Sequence, residues 1–229
     1  MKNLSISLFL LLVASYTSGL YAEDAPTKAA PLPKEYSAIF STPIFSQVFV
    51  HGLPNGWKMV SSRKSPDGSD FVQVYALDGQ NPSNWTELIM VTGMKDMVKT
   101  PNTNLPNLIE YIAKQKRVAC PERFFAISAG SAMFGSRPGH TAILGCGRLS
   151  ANAAGLKAGE GEIGVYIAVQ GEKDFYVIQR VQRRAAFEVT PEPLSRPEFL
   201  KLVQSLMPIG VCEIGDSPDQ CEPKLGGQK

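Results

Sequence analysis

The stretch from Gly161 to Arg184 constrains the fold more than any other. Ile163, Val165, Ile167 and Val169 alternate with Glu162, Gly164, Tyr166 and Ala168, the period-2 pattern of a strand with one buried face. The polar tetrad Gly171-Glu172-Lys173-Asp174 follows, and then Phe175 to Val181, rich in aromatic and β-branched residues. Four connecting residues that begin with Gly suit a hairpin, so the two runs are expected to pair antiparallel at the centre of a sheet.

The amino end addresses compartment rather than fold. Met1-Lys2-Asn3 puts a positive charge ahead of the apolar run Leu4 to Ala14, and small and polar residues lead to Tyr21-Ala22-Glu23. This reads as a secretory signal peptide over residues 1–22, cut after Ala22 or, alternatively, after Gly19. The run is shorter than the ~20 residues of a membrane span, so no transmembrane segment is expected once the leader is removed. No cysteine precedes Cys120, which argues against a lipid anchor. What remains fits one domain. We expect a mobile arm over 23–43, a single domain over 44–211 and a tail over 212–229, in a protein that is periplasmic or secreted. Four cysteines in an exported chain read as two disulfides. Of the three connectivities open to them, Cys120 with Cys146 and Cys212 with Cys221 close the shortest loops, the second bridging the tail. A zinc site is disfavoured because no C-x-x-C pair is present.

Further elements follow from periodicity. Apolar residues from Ile44 to Val50, then Trp57 to Val60, the turn Ser65-Pro66-Asp67-Gly68 and Phe71 to Leu77 suggest an amino-terminal meander. Trp85 to Gly93 is apolar on both faces, which suits a central strand. Thr103 or Asn104 can cap a helix whose Leu105, Leu108, Ile109 and Ile112 form one stripe, with Pro106 in the first turn and Cys120-Pro121 as the stop. Phe124 to Ile127 and Thr141 to Cys146 read as strands joined by a Gly- and Ser-rich connector, Ser128 to Gly139. Gly147 to Gly161 reads as a long Gly/Ala loop. Ser195-Arg196-Pro197-Glu198 is a capping box, ahead of a helix striped by Phe199, Leu202, Val203 and Leu206 and ended by Pro208. The fold class is therefore α+β: a central antiparallel sheet of about six strands with two amphipathic helices packed on it.

The chemistry-bearing motifs are few. A formal charge of +2 falls short of the basic surplus that nucleic acid would require. Neither G-x-S-x-G nor a phosphate-binding Gly loop is present, and no cofactor is implied. The two histidines, His51 and His140, sit beside glycines without a carboxylate or thiolate at suggestive spacing. One cluster could bind: Arg180 and Arg184 share a strand face with Gln182, and Arg183 lies opposite, presenting guanidinium forks suited to carboxylates or phosphates. The alternative for these arginines is a solvated outer face.

Leu53-Pro54-Asn55-Gly56-Trp57 leading into a strand, Asn84-Trp85 leading into Ile89-Met90-Val91, and a late hairpin followed by an amphipathic helix together resemble the PsbP-like family. That family includes extrinsic photosystem subunits and exported bacterial relatives. The resemblance covers about 44–209 and implies a central antiparallel sheet flanked by helices, with binding or assembly on a larger complex rather than catalysis. The four cysteines and the Gly/Ala loop depart from the family pattern, and no site residue carries over. The expected function is that of an exported non-catalytic binding or accessory protein acting on another protein. The alternative is a secreted hydrolase with a dispersed site that includes His140.

Overall fold

The structure is a computed structural model that describes residues 36–149, 160–189 and 193–216. The expected signal peptide, Cys221 and most of the Gly/Ala loop lie outside them.

Ten strands form two sheets, of seven and of three strands. The hairpin read first from the sequence is β8 (Glu160–Gln170) and β9 (Phe175–Ala185), and both strands lie inside the larger sheet. One meander, β3 (Trp57–Lys64), β4 (Asp70–Leu77) and β5 (Glu87–Met94), joins it through antiparallel pairing of β5 with β9. On the other side β8 pairs with β7 (Arg137–Cys146), which pairs with β6 (Phe124–Phe134). The smaller sheet sets β2 (Gln47–Pro54) between β1 (Tyr36–Ile44) and β10 (Ile209–Glu213).

The large sheet is covered on both faces. Helix α1 (Leu105–Ala119) packs Leu105, Leu108, Ile109 and Ala113 against Leu144, Tyr166, Ala168 and Val177. On the opposite face Ile163, Val165, Ile167 and Ile178 meet Leu202 and Leu206, from helix α2 (Arg196–Gln204) and the turn after it, together with Phe49, Leu53 and Ile209 of the small sheet. Double burial explains why β8 is not the half-buried strand its alternation suggests: Tyr166 and Ala168 are as buried as the isoleucines. The disulfide Cys120–Cys146, with Cα atoms 5.8 Å apart, fastens the carboxyl end of α1 to the end of β7.

Three expectations change. A single sheet of about six strands is too small, because the small sheet was not recognised and the large one is longer. Residues 36–43, read as the last part of an arm, form an edge strand; Pro43 and the interspersed Ser and Thr mask its pattern, and an edge is where a strand tolerates Pro. The connector Ser128 to Gly139 is a hairpin: β6 and β7 pair as far as Phe134 and Arg137 around Gly135-Ser136. Ala, Gly and Ser have low strand propensity, and here the ladder to β7 overrides it.

Candidate functional site

The residues singled out from sequence do not form one site. Arg180 donates from Nη2 to Glu87 Oε2 at 2.7 Å and lies 5.2 Å from the Trp57 ring centroid. Arg183, on the other face, stacks 3.7 Å from the Trp85 ring centroid and donates to the Trp85 carbonyl. Burial lowers its pKa, against the pull of Glu162 and Glu160. Arg184 reaches the Pro193 carbonyl and the Phe187 ring. Each guanidinium therefore has a partner within its own chain.

The histidines are enclosed. His140 is 8% exposed and spans two hydroxyls of β6, Ser128 Oγ at 3.1 Å from Nε2 and Ser131 Oγ at 3.1 Å from Nδ1. A hydrolase would need a carboxylate on one nitrogen, and among the described residues His140 hydrogen-bonds only these serines. His51 is fully buried among Phe40, Phe49 and Tyr75, its Nδ1–H donating to the Gly52 carbonyl. Burial holds its pKa down to about 4, although the bond to Gly52 pulls the other way, so the ring is neutral at pH 7. On the α1 face, Lys116 and Glu162 form an ion pair at 2.6 Å. Burial alone would lower the ammonium's pKa; Tyr166 and Glu162 outweigh it and the lysine stays charged.

A site does assemble at one end of the large sheet, from turns. The β1–β2 turn (Phe45-Ser46), the β3–β4 turn, the segment after β5 and the β8–β9 turn converge there, and buried Asp174 ties three of them together. Its Oδ2 accepts from the Ser46 hydroxyl at 2.8 Å and its Oδ1 from the Asp96 N–H at 2.8 Å. The Tyr176 hydroxyl also reaches Oδ2, at 3.4 Å. Gln47 Oε1 caps the Glu172 N–H at 2.8 Å, an approach open only because Gly171 has no Cβ to collide with that oxygen. Gly93 likewise leaves room for Ile44 and Phe45, which lets the β1–β2 turn lie on β5. Phe45, Asp96 and Asn102 take left-handed backbone angles, at φ 57°, 55° and 62°, conformations that persist only where surrounding contacts hold them.

Two hollows open on this rim and share Lys95. One, about 490 Å³, is bordered by Lys64, Lys95 and Lys173, with Phe45, Asp96 and Asp174. The other, about 400 Å³, lies against the start of α1 and is lined by Met94, Met97, Leu108 and Tyr111 under a polar edge that includes Asp70 and Asn107. Lys64, Lys95 and Lys173 are exposed and form no ion pair among the described residues. The Lys95 N–H donates to the Ser69 carbonyl at 2.9 Å, which fixes the backbone between the hollows. The arrangement sets cationic groups beside an apolar recess, chemistry that suits an anionic group attached to an apolar one. Sequence reading missed it because its residues come from four turns distant in sequence. The available signal was the pair of polar turns, Ser65 to Gly68 and Gly171 to Asp174, each beside a lysine.

No family model matches the chain, and no curated protein does. Among solved structures it is similar to cyanobacterial PsbP (CyanoP) from Synechocystis sp. PCC 6803, with a TM-score of 0.43 and 10% identity over 79% of this chain and 97% of that one. It is also similar to the Ran-binding protein Mog1p of Saccharomyces cerevisiae, with a TM-score of 0.40 and 10% identity over 65% of this chain and 78% of that one. LpqN, involved in cell envelope biogenesis of Mycobacterium tuberculosis, gives a TM-score of 0.33 and 12% identity over 73% of this chain and 85% of that one. The chain thus resembles PsbP in structure as well as in its sequence motifs, a likeness that transfers no site and no activity.

Proposed function

We propose that this is an exported, non-catalytic accessory protein that binds another protein through the rim around Lys95. The observation that carries this reading is the pair of hollows sharing that lysine, one cationic and one apolar, on turns that Asp174 and Gln47 hold in place. A partner segment with an acidic side chain and an adjacent apolar anchor would fill both, the apolar anchor supplying burial and the carboxylate selecting orientation. Export rests on the leader-like residues 1–22 and on the disulfide, which persists in oxidising compartments.

The test is affinity capture from the native source with the chain from Glu23 as bait, in parallel with two variants. Lys64→Glu/Lys95→Glu/Lys173→Glu should lose the partner, while Arg180→Ala/Arg183→Ala/Arg184→Ala should retain it if still folded. A folded arginine variant that loses the partner while the lysine variant keeps it would overturn the rim and favour the arginine row. Capture of no partner by the unmodified chain would remove the accessory reading altogether.

A further inference from the structure

Four strands form the edges of the two sheets, and three of them are blunted. β3 carries Lys58, Arg63 and Lys64; β1 carries Pro43; β10 is 5 residues long and ends at Glu213. Charge, proline and shortness are the ordinary means of keeping a sheet edge from pairing with another chain. β6 lacks all three. Its 11 residues, Phe-Phe-Ala-Ile-Ser-Ala-Gly-Ser-Ala-Met-Phe, contain no charge and no proline. One side of the strand is laddered to β7, and no described residue hydrogen-bonds to the backbone on the other. Ala126 and Ser128 to Met133 are exposed, Met133 at 62%.

The order of side-chain sizes along β6 reads nearly the same in both directions about Ala129. An antiparallel pairing of the strand with itself sets Phe124 opposite Phe134, Phe125 opposite Met133, Ala126 opposite Ala132 and Ser128 opposite Gly130. Bulky residues meet at both ends and small ones at the middle, where two main chains approach closely. The register shift between Ser128 and Gly130 puts the β6 bulge at Ala129, on the axis, so each half of the strand meets the opposite half of its copy. His140 draws the hydroxyls of Ser128 and Ser131 towards β7 and leaves main-chain groups as the polar content of the free edge. We propose that the partner of this edge is a second copy of the chain, joined β6 to β6 antiparallel about Ala129, so that the two seven-stranded sheets run on as one. Such a contact is isologous and closed, so it stops at a dimer.

The test is sedimentation of the purified chain beside Ala129→Lys, Ala129→Glu and an equal mixture of the two. The unmodified chain should sediment as a dimer. Either variant alone places like charges against each other at the axis and should raise the dimer dissociation constant by at least about tenfold. The mixture should recover dimers, which misfolded variants could not do. As a gentler probe, Ala129→Cys should cross-link to its copy on oxidation. A monomeric unmodified chain, dimers indifferent to either charge, a mixture that stays monomeric with both variants folded, or no cross-link would each overturn the proposal.

Discussion

Asp174 is 1% exposed, yet it carries a carboxylate, and the cost of removing that group from water is met by donors from separate turns, Ser46 and Asp96, with Tyr176 beside them. Asp174→Ala would leave those donors buried without an acceptor. It should destabilise the fold by roughly 1–3 kcal/mol, read from urea unfolding, and loosen the rim. His51 is neutral in the fold, with its pKa held near 4, whereas in the unfolded chain it titrates near its ordinary value of 6.5. Its contribution is intact above that ordinary value. As pH falls from about 6.5 to about 4 the unfolded state takes up the proton first, and on the order of 3 kcal/mol of stability is lost across that window. His51→Phe should flatten this segment of the stability–pH curve, as thermal melts over the same range would show. Neither environment was legible beforehand. In sequence Asp174 is the last residue of a turn and His51 is a residue beside a glycine, and what changes their chemistry is packing against elements far along the chain.

Helices were the elements most fully written into the sequence, because their signals are local. Asn104 caps α1 by accepting from the Asn107 N–H at 2.9 Å. The Glu198 carboxylate accepts from the N–H and the hydroxyl of Ser195, at 2.9 and 2.6 Å. Ser195→Ala should cost about 0.5–2 kcal/mol by denaturant titration. The central hairpin was equally plain, since alternation and a four-residue turn suffice to specify it. β1, β10 and the outer part of β6 were not, because each is stabilised by a partner strand rather than by its own composition: Pro43, the shortness of β10 and the Ala/Gly/Ser run of β6 all argue against a strand when read alone. Arg180 and Glu87 illustrate the same limit across strands. Their register, Glu87 one step from the residue opposite Arg180, follows from β5 pairing with β9, which no local pattern announces. Arg180→Met should destabilise by roughly 1–3 kcal/mol, an unfolding measurement that separates a packing role from a binding one.

At the scale of the molecule, the α+β class with two helices followed from sequence, whereas the division into two sheets did not. Cys120 and Cys146 pair as their short loop suggested, and the bridge holds α1 against the sheet it covers. Cys120→Ser/Cys146→Ser should lower stability by about 2–4 kcal/mol in calorimetry or denaturant unfolding. The seven-stranded sheet also has a seam. β3 to β5 and β6 to β9 are each chains of near neighbours, and β5 with β9 is the pairing that unites them, joining Glu87 to Gln182. Each half can organise by local zippering, but the seam must wait until a long intervening stretch has closed, so its formation sets the pace of folding. Before that moment β5 and β9 both stand as open apolar edges, which makes the newly exported chain most vulnerable to aggregation in the interval between completing its halves and joining them.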